Sequence, residues 1–230
     1  MRACDATLEW GGERLTLFPE RAIWWAAEKT LLIADPHFGK AAAFRFAGIP
    51  VPETAHDDDL ERLSRTLAMT GAHRLVILGD FLHARTSRND TMFSALTTWR
   101  ESHSATEIVL VQGNHDRHAG ALPENLRINC VSGPWCQGPY QCRHEPQEDL
   151  GMHVLAGHVH PAYRLTDRIG SSLRAPCFYF AERVALLPAF GSFTGMHSIR
   201  PSPNDRIFLV DSESVLEITH TSTSISAKRR

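Results

Sequence analysis

Asp35 and His37 stand two residues apart just past the apolar run Thr30-Leu31-Leu32-Ile33-Ala34. On an extended backbone that spacing puts a carboxylate and an imidazole on one face, within reach of a single cation. Gly79-Asp80 closes a second apolar run, Leu75-Val76-Ile77-Leu78. There the glycine lets the chain turn sharply, and the carboxylate can offer one oxygen to each of two cations. Gly113-Asn114-His115-Asp116 follows a third run, Ile108-Val109-Leu110-Val111, and supplies an amide oxygen, an imidazole and a carboxylate in succession. Arg143-His144-Glu145 and Gly157-His158-Val159-His160 add three more imidazoles. Any one of these fragments also reads as a polar loop after a strand; the argument lies in the accumulation of five.

The inventory is a carboxylate able to bridge (Asp80), a second carboxylate (Asp35), an amide oxygen (Asn114) and the imidazoles of His37, His144, His158 and His160. That mixture suits two divalent ions of the Mn, Fe or Zn type, whereas Mg or Ca favours more oxygen. Two such ions roughly 3.5 to 4 Å apart can polarise a shared solvent molecule and clamp an in-line displacement at phosphorus. His115 stays outside the ligand set and is the candidate general acid, with its neighbour Asp116 expected to fix its tautomer and orientation. The site is hydrolytic on this reading.

Stepping out to the elements, each of the three apolar runs is a short buried strand whose C-terminal end presents polar groups, the usual place for a ligand site in an α/β sheet. Residues 8–17 read as a hairpin around Gly11-Gly12, and Ala22 to Ala27 adds a further strand. Leu60, Leu63 and Leu67 lie at helical spacing between Thr54 and Met69, with a capping box from Thr54 to Asp57, and residues 90–101 are helical again. From about Ala119 to Gly151 the composition turns to Gly, Pro, Gln and Cys, so irregular connections are expected, with short strands near Ile128 and Tyr140. Strands at 154–156, 176–180, 183–187, 207–210 and 215–218 make the second half strand-rich. Residues 1–218 are expected to form one domain and 219–230 a flexible tail.

The chain has 230 residues, enough for a single large core, and its formal net charge of −2 argues against gripping nucleic acid through overall electrostatics. Any such partner must be held locally. Five cysteines, no basic leader before an apolar stretch and no apolar run of spanning length lead to the expectation of a reduced, cytoplasmic protein that does not cross a membrane.

In order and spacing, Asp35-x-His37, Gly79-Asp80, Gly113-Asn114-His115-Asp116, His144 and Gly157-His158-x-His160 resemble the motifs of the calcineurin-like metallophosphoesterase superfamily. The resemblance implies one metal on Asp35, His37, Asp80 and His160 and a second on Asp80, Asn114, His144 and His158. It also implies an α/β fold, a four-layer αββα sandwich of two mixed sheets flanked by helices. Ala34-Asp35-Pro36-His37-Phe38-Gly39-Lys40, Arg143-His144-Glu145-Pro146, Leu173 to Phe178 and Pro188 to Gly195 are similar to the ligase-associated DNA damage response endonuclease subfamily, PdeM. Met196, where a second glycine is expected, and Pro36, where Leu is commoner, depart from its pattern without removing a ligand. That likeness implies a Mn-dependent nuclease acting on DNA, in functional association with an ATP-dependent DNA ligase and a helicase.

Competing readings remain beside it. The same site serves a phosphatase or a nucleotide or dinucleoside polyphosphate hydrolase, and a silent scaffold would be expected to lack ligands that are all present here. Lys40, Arg45, Arg85, Arg88, Arg117, Arg164 and Arg174 flank the motifs as candidate phosphate contacts, Arg174 and Arg117 foremost, though each also reads as a solvated charge. His83, three residues past Asp80, is a candidate for support behind the ligands. Cys130, Cys136 and Cys142 recur every six residues, too widely for zinc pairs, and read as ordinary thiols.

Overall fold

The structure, a computed structural model, describes residues 4–40, 44, 48, 55–83, 90–166 and 170–218, without the side chains of 55–57. Gly11 and Gly12 take φ of 61° and 82°, the left-handed pair that a tight hairpin turn between twisted strands requires. They join β1 (Ala6–Trp10) to β2 (Glu13–Phe18), with Trp10 opposite Glu13. β3 (Ala22–Trp25) and β4 (Thr30–Ala34) continue the antiparallel run. From there the chain returns through helices, so β5 (Arg74–Leu78), β6 (Glu107–Val111) and β7 (Asn129–Val131) add in parallel. The helices are α1 (Ala55–Thr70) and α2 (Asp90–Ser102), followed after β6 by the short α3 (Asn114–Ala119).

A second mixed sheet comprises β8 (Trp135–Gln137), β9 (Tyr140–Arg143), β10 (His153–Ala156), β11 (Pro161–Thr166), β12 (Ser172–Phe180), β13 (Val184–Leu186) and β14 (His197–Ser198). Its order is β14-β11-β12-β13-β10-β9-β8, with the hairpin of β15 (Arg206–Val210) and β16 (Val215–Ile218) joined to it through β12.

The alternation of side chains along the parallel strands decides what each face covers. Leu32, Ala34, Val76, Leu78, Val109 and Val111 point at the second sheet and meet Tyr140, Leu155, Phe178 and Phe208. Leu31, Ile33, Leu75, Ile77, Ile108 and Leu110 point the other way, to Leu60, Leu63 and Leu67 of α1 and Met92, Leu96 and Trp99 of α2. Strands buried on both faces explain why these segments read as unbroken apolar runs. Each Leu or Ile withdrawn from water there contributes about 1.5–3 kcal/mol.

The fold is thus the expected αββα type of two mixed sheets with helices. Its described helices gather over the first sheet; on the second, Val154, Ala156 and Leu186 form a small separate cluster. Strands expected at 75–78, 108–111, 154–156 and 207–210 are found with one residue added at their start. The strand expected at 176–180 begins instead at Ser172, because β11 pairs with its first half. β11 itself was not foreseen, nor was α3, so the Gly113 to Asp116 motif opens a helix rather than a bare loop. Thr54 and the side chain of Asp57, Arg45, Arg85, Arg88 and the tail 219–230 lie outside the described residues. Among those described, no helix is long and apolar enough to cross a membrane.

Candidate metal centre

Parallel register brings the first three motifs to one edge: Ala34 pairs with Leu78, and Leu78 with Val111, so Asp35, Asp80 and Asn114 all emerge beyond the same row. In the second sheet Ala156 pairs with Arg143, which sets His144 beside Gly157, and the Gly157 N–H donates to the His144 carbonyl at 3.0 Å. The two edges are stitched together where Asp35 Oδ2 accepts the His158 N–H at 2.8 Å and the Phe190 N–H donates to the Ala34 carbonyl at 2.7 Å.

The backbone at these positions is itself unusual. Eight non-glycine residues have positive φ among the described residues, and five of them are Asp35, His37, Asp80, His158 and His160. Left-handed backbone costs an L-residue about 1–2 kcal/mol, and it concentrates where function over-determines it.

Their side chains converge. Asp35, His37 and His160 form one group of donor atoms within 4.8 Å of one another, and Asp80, His144 and His158 form a second. Asp80 lies between them, with Oδ2 at 3.8 Å from His37 Nε2 and Oδ1 at 3.5 Å from His144 Nε2. His144 Nδ1 donates to the Leu78 carbonyl at 3.1 Å, so the lone pair on Nε2 faces Asn114 Oδ1 at 2.9 Å and His158 Nδ1 at 3.0 Å. His160 Nδ1 likewise donates to the Gly195 carbonyl at 3.1 Å, turning Nε2 toward Asp35 Oδ2 at 3.6 Å. All seven expected ligands are therefore gathered in one place.

Several polar groups of the cluster are buried without full satisfaction by the protein's own groups. Burial pushes the His37 pKa down to about 2, with Lys40, His160, His115 and His83 adding to the effect, so the ring is neutral and carries a lone pair. Burial also raises the Asp80 carboxyl, opposed by His144 and reinforced by Asp35. Asp35 Oδ1, both nitrogens of His37 and His160 Nε2 are buried and have no hydrogen-bond partner among the described residues. Orphaned buried donors and acceptors cost about 1–3 kcal/mol each, more when charged. His144 Nε2 lies close enough to Asn114 Oδ1 and His158 Nδ1 for the three to share one cation. The residues fit divalent cations.

His115 sits on the other carboxylate oxygen, Nε2 lying 3.9 Å from Asp80 Oδ2 while its N–H donates to Asp80 Oδ1 at 3.0 Å. Asp116 does not orient its ring. The Asp116 carboxylate instead accepts the N–H groups of Phe81, Leu82 and Gly113, and the group that meets His115 Nδ1, at 2.5 Å, is the carbonyl of His83. The reason is local: Asp116 is the third residue of a helix whose entry it caps, so its side chain turns back to free N–H groups rather than sideways to its neighbour. The His83 ring stacks on His115 at 5.4 Å, and burial lowers its pKa to about 4.

Other supports carry no motif. An added Cβ at Gly79 would collide with the His144 ring, and one at Gly113 would fall 2.7 Å from the Asp80 nitrogen. Arg62 of α1 donates to the Phe190 carbonyl, while Asp59 accepts from Ser192 Oγ at 2.6 Å. These bonds hold the loop that presents Gly195 to His160. The glycines just before Asp80, Asn114 and His158 were readable signals; Asp59 and Arg62 look like ordinary helix charges. Among the expected phosphate contacts, Lys40 has its pKa lowered by burial, opposed by the nearby Asp80 and Asp35 carboxylates. Arg117 is on α3 beside Glu145, and Arg174 is exposed opposite Arg164 on β11.

Two mixed sheets bearing His/Asp donor groups at a common edge make this a metal-dependent phosphoesterase in class. Among solved structures, the nuclease MPE of Pseudomonas putida matches with 42% sequence identity and a TM-score of 0.81, covering 93% of this chain and 100% of that one. The chain belongs to the metallophosphoesterase superfamily, in the company of that nuclease. YfcE, a phosphoesterase from E. coli, is 14% identical at a TM-score of 0.41, covering 83% of this chain and 98% of that one. AQ665 of Aquifex aeolicus, a protein of unknown function, is 17% identical at 0.39, covering 61% and 81%; neither of these two bears on the argument. The chain matches no family model and no curated protein.

Proposed function

We propose that this protein hydrolyses phosphodiester bonds in DNA with two divalent cations, manganese foremost and iron or zinc as alternatives. One cation would be held by Asp35, His37, Asp80 and His160, the other by Asp80, Asn114, His144 and His158. The observation that carries the reading is the convergence of these donors, four of whose buried atoms have no hydrogen-bond partner among the described residues. DNA as substrate draws support from the nuclease named above. Divalent cations at such a site supply Lewis acidity, drawing charge from phosphoryl oxygens and lowering the pKa of water.

The chain's own part follows from its geometry. His115 donates Nδ1–H to the His83 carbonyl, which turns Nε2 toward the donor cluster; with the ring protonated on both nitrogens, Nε2–H can pass its proton to the departing oxygen and leave the neutral imidazole. Asn114 steers the phosphate from the first turn of α3. Asp116 keeps that turn in register with residues 81 and 82, and Lys40 adds positive charge beside the two carboxylates.

Asp80→Ala is expected to abolish turnover and lower bound metal, and His115→Ala to keep the metal while losing at least about a hundredfold in rate. Metal analysis alongside hydrolysis of a bis-ester reporter, a mono-ester reporter and single-stranded DNA with Mn supplied tests both. Full activity in either variant would remove these roles, and a clear preference for the mono-ester would favour a phosphatase with the same site. Cytoplasmic action beside an ATP-dependent DNA ligase and a helicase is the partnership the subfamily likeness suggests; co-purification with the ligase tests it.

A further inference from the structure

A cleft of about 500 Å³ opens beside His144, between the end of β6, the outer side of α3, the β7–β8 turn and the segment after β9. Its volume lies within the roughly 300–1,000 Å³ typical of ligand pockets. Apart from His144, its lining takes no part in the hydrolytic chemistry above. We propose that this cleft holds the nucleotide adjoining the scissile phosphate, and that Arg117 and Arg143 grip the strand there. The inference rests on the reading of the site as a DNA phosphodiesterase.

The lining is chemically suited to a nucleotide. Arg143 Nη1 donates to Gln147 Oε1 at 2.6 Å and its Nε to Gln141 Oε1, so amide oxygens fix the guanidinium plane while leaving the rest of its donor fork for an anion. Arg117 is three residues after Asn114 on α3 and so lies on the same side of the helix, one step further from the donor cluster. Its neighbour Glu145 is 3.6 Å away with both side chains more than half exposed, a pairing weak enough for a phosphate to replace. Gln112 is anchored through Ser132 Oγ, which donates to its Oε1 at 2.8 Å. Pro134 and Pro146 add apolar surface to the cleft, and unpaired bases stack on guanidinium planes such as those of Arg117 and Arg143. With a formal net charge of −2 the chain has no excess of basic charge to hold DNA from afar, so the grip must be local and adjacent to the cluster.

The test compares two substrates in each Mn-supplied protein: an oligodeoxythymidylate, long enough to fill the cleft, and a bis(4-nitrophenyl) phosphate reporter, too small to need it. The readout is the ratio of kcat/KM on the oligonucleotide to kcat/KM on the reporter, so any general damage to the protein cancels. Arg117→Gln and Arg143→Gln should each lower that ratio roughly fivefold or more. They should also flatten the dependence of log kcat/KM on log salt by about 0.7 per lost charge. Glu145→Gln, which removes the competing carboxylate, should raise the ratio, a gain that mere structural damage does not produce. Ratios and salt slopes equal to wild type in all three variants, with reporter hydrolysis intact, would overturn the cleft alone. A wild-type protein that cleaves neither diester would overturn the DNA reading and the cleft together.

Discussion

Five donor residues in left-handed backbone concentrate a cost that the metal-free chain bears without return. His158 is the most informative of them, being exposed with φ 67°, whereas Asp35 and Asp80 are buried. His158→Gly relieves the steric penalty of about 1–2 kcal/mol at that position. The metal-free variant should therefore melt a few degrees above the metal-free wild type, roughly 2–4 °C per kcal/mol for a chain of this size. The Mn-supplied variant should lose activity, and calorimetry with and without chelator reads both effects. A metal-free variant that melts lower than wild type would show that the His158 ring contacts outweigh the strain. At this scale the donor set was legible, because Asp-x-His, Gly-Asp, Gly-Asn-His-Asp and Gly-His-x-His name their own atoms. The partner of the His115 ring was not, since a main-chain carbonyl leaves no mark in the identity of residue 83.

Elements explain what residue types alone left open. The apolar runs before Asp35, Asp80 and Gly113 were readable as strands because both faces of each are covered, one by α1 and α2, the other by the second sheet. β11 escaped because it opens at Pro161 and then runs through Tyr163 and Arg164 with its outer half exposed, so neither alternation nor an apolar block marks it. α3 escaped because six residues are too few to display a helical period. The junction between β6 and α3 is also where sequence and site are most tightly coupled. Gly113 has an unremarkable φ of −88°, so its requirement is space: a methyl there would press on Asp80 and on the His144 ring. Gly113→Ala should keep the circular dichroism spectrum of the wild type, yet bind metal at least about tenfold more weakly, in the range of losses seen when groups supporting ligands are disturbed. Titration with Mn checks it, and wild-type affinity would mean that the strand end has room to shift.

Across the whole molecule, the two faces of the first sheet divide the work. One is sealed against α1 and α2; the other is packed on a second sheet whose strand ends lead into His144, His158 and His160. The resemblance to the superfamily implied a sandwich of this kind, and the shift from alternating helices and strands to strands alone was consistent with it. How the second sheet is ordered was beyond reach of the sequence, because β10, β13 and β9 pair in parallel across long separations that local pattern does not record.

The bond from the His158 N–H to Asp35 joins residues 123 positions apart and belongs to neither sheet's own ladder. On the proposed ligand sets it would make the donor cluster a rivet through the sandwich, since cations held by Asp35 and His160, or by Asp80 and His144, would fasten one layer to the other. Stripping the ions should then unfasten the seam before it disturbs either sheet. Hydrogen exchange should record this as faster exchange at the amides of His158, Phe190 and Gly157, with those inside β5 and β6 still slow. Uniform acceleration through both sheets would instead mean that the layers stand or fall as one body, whatever the ions do.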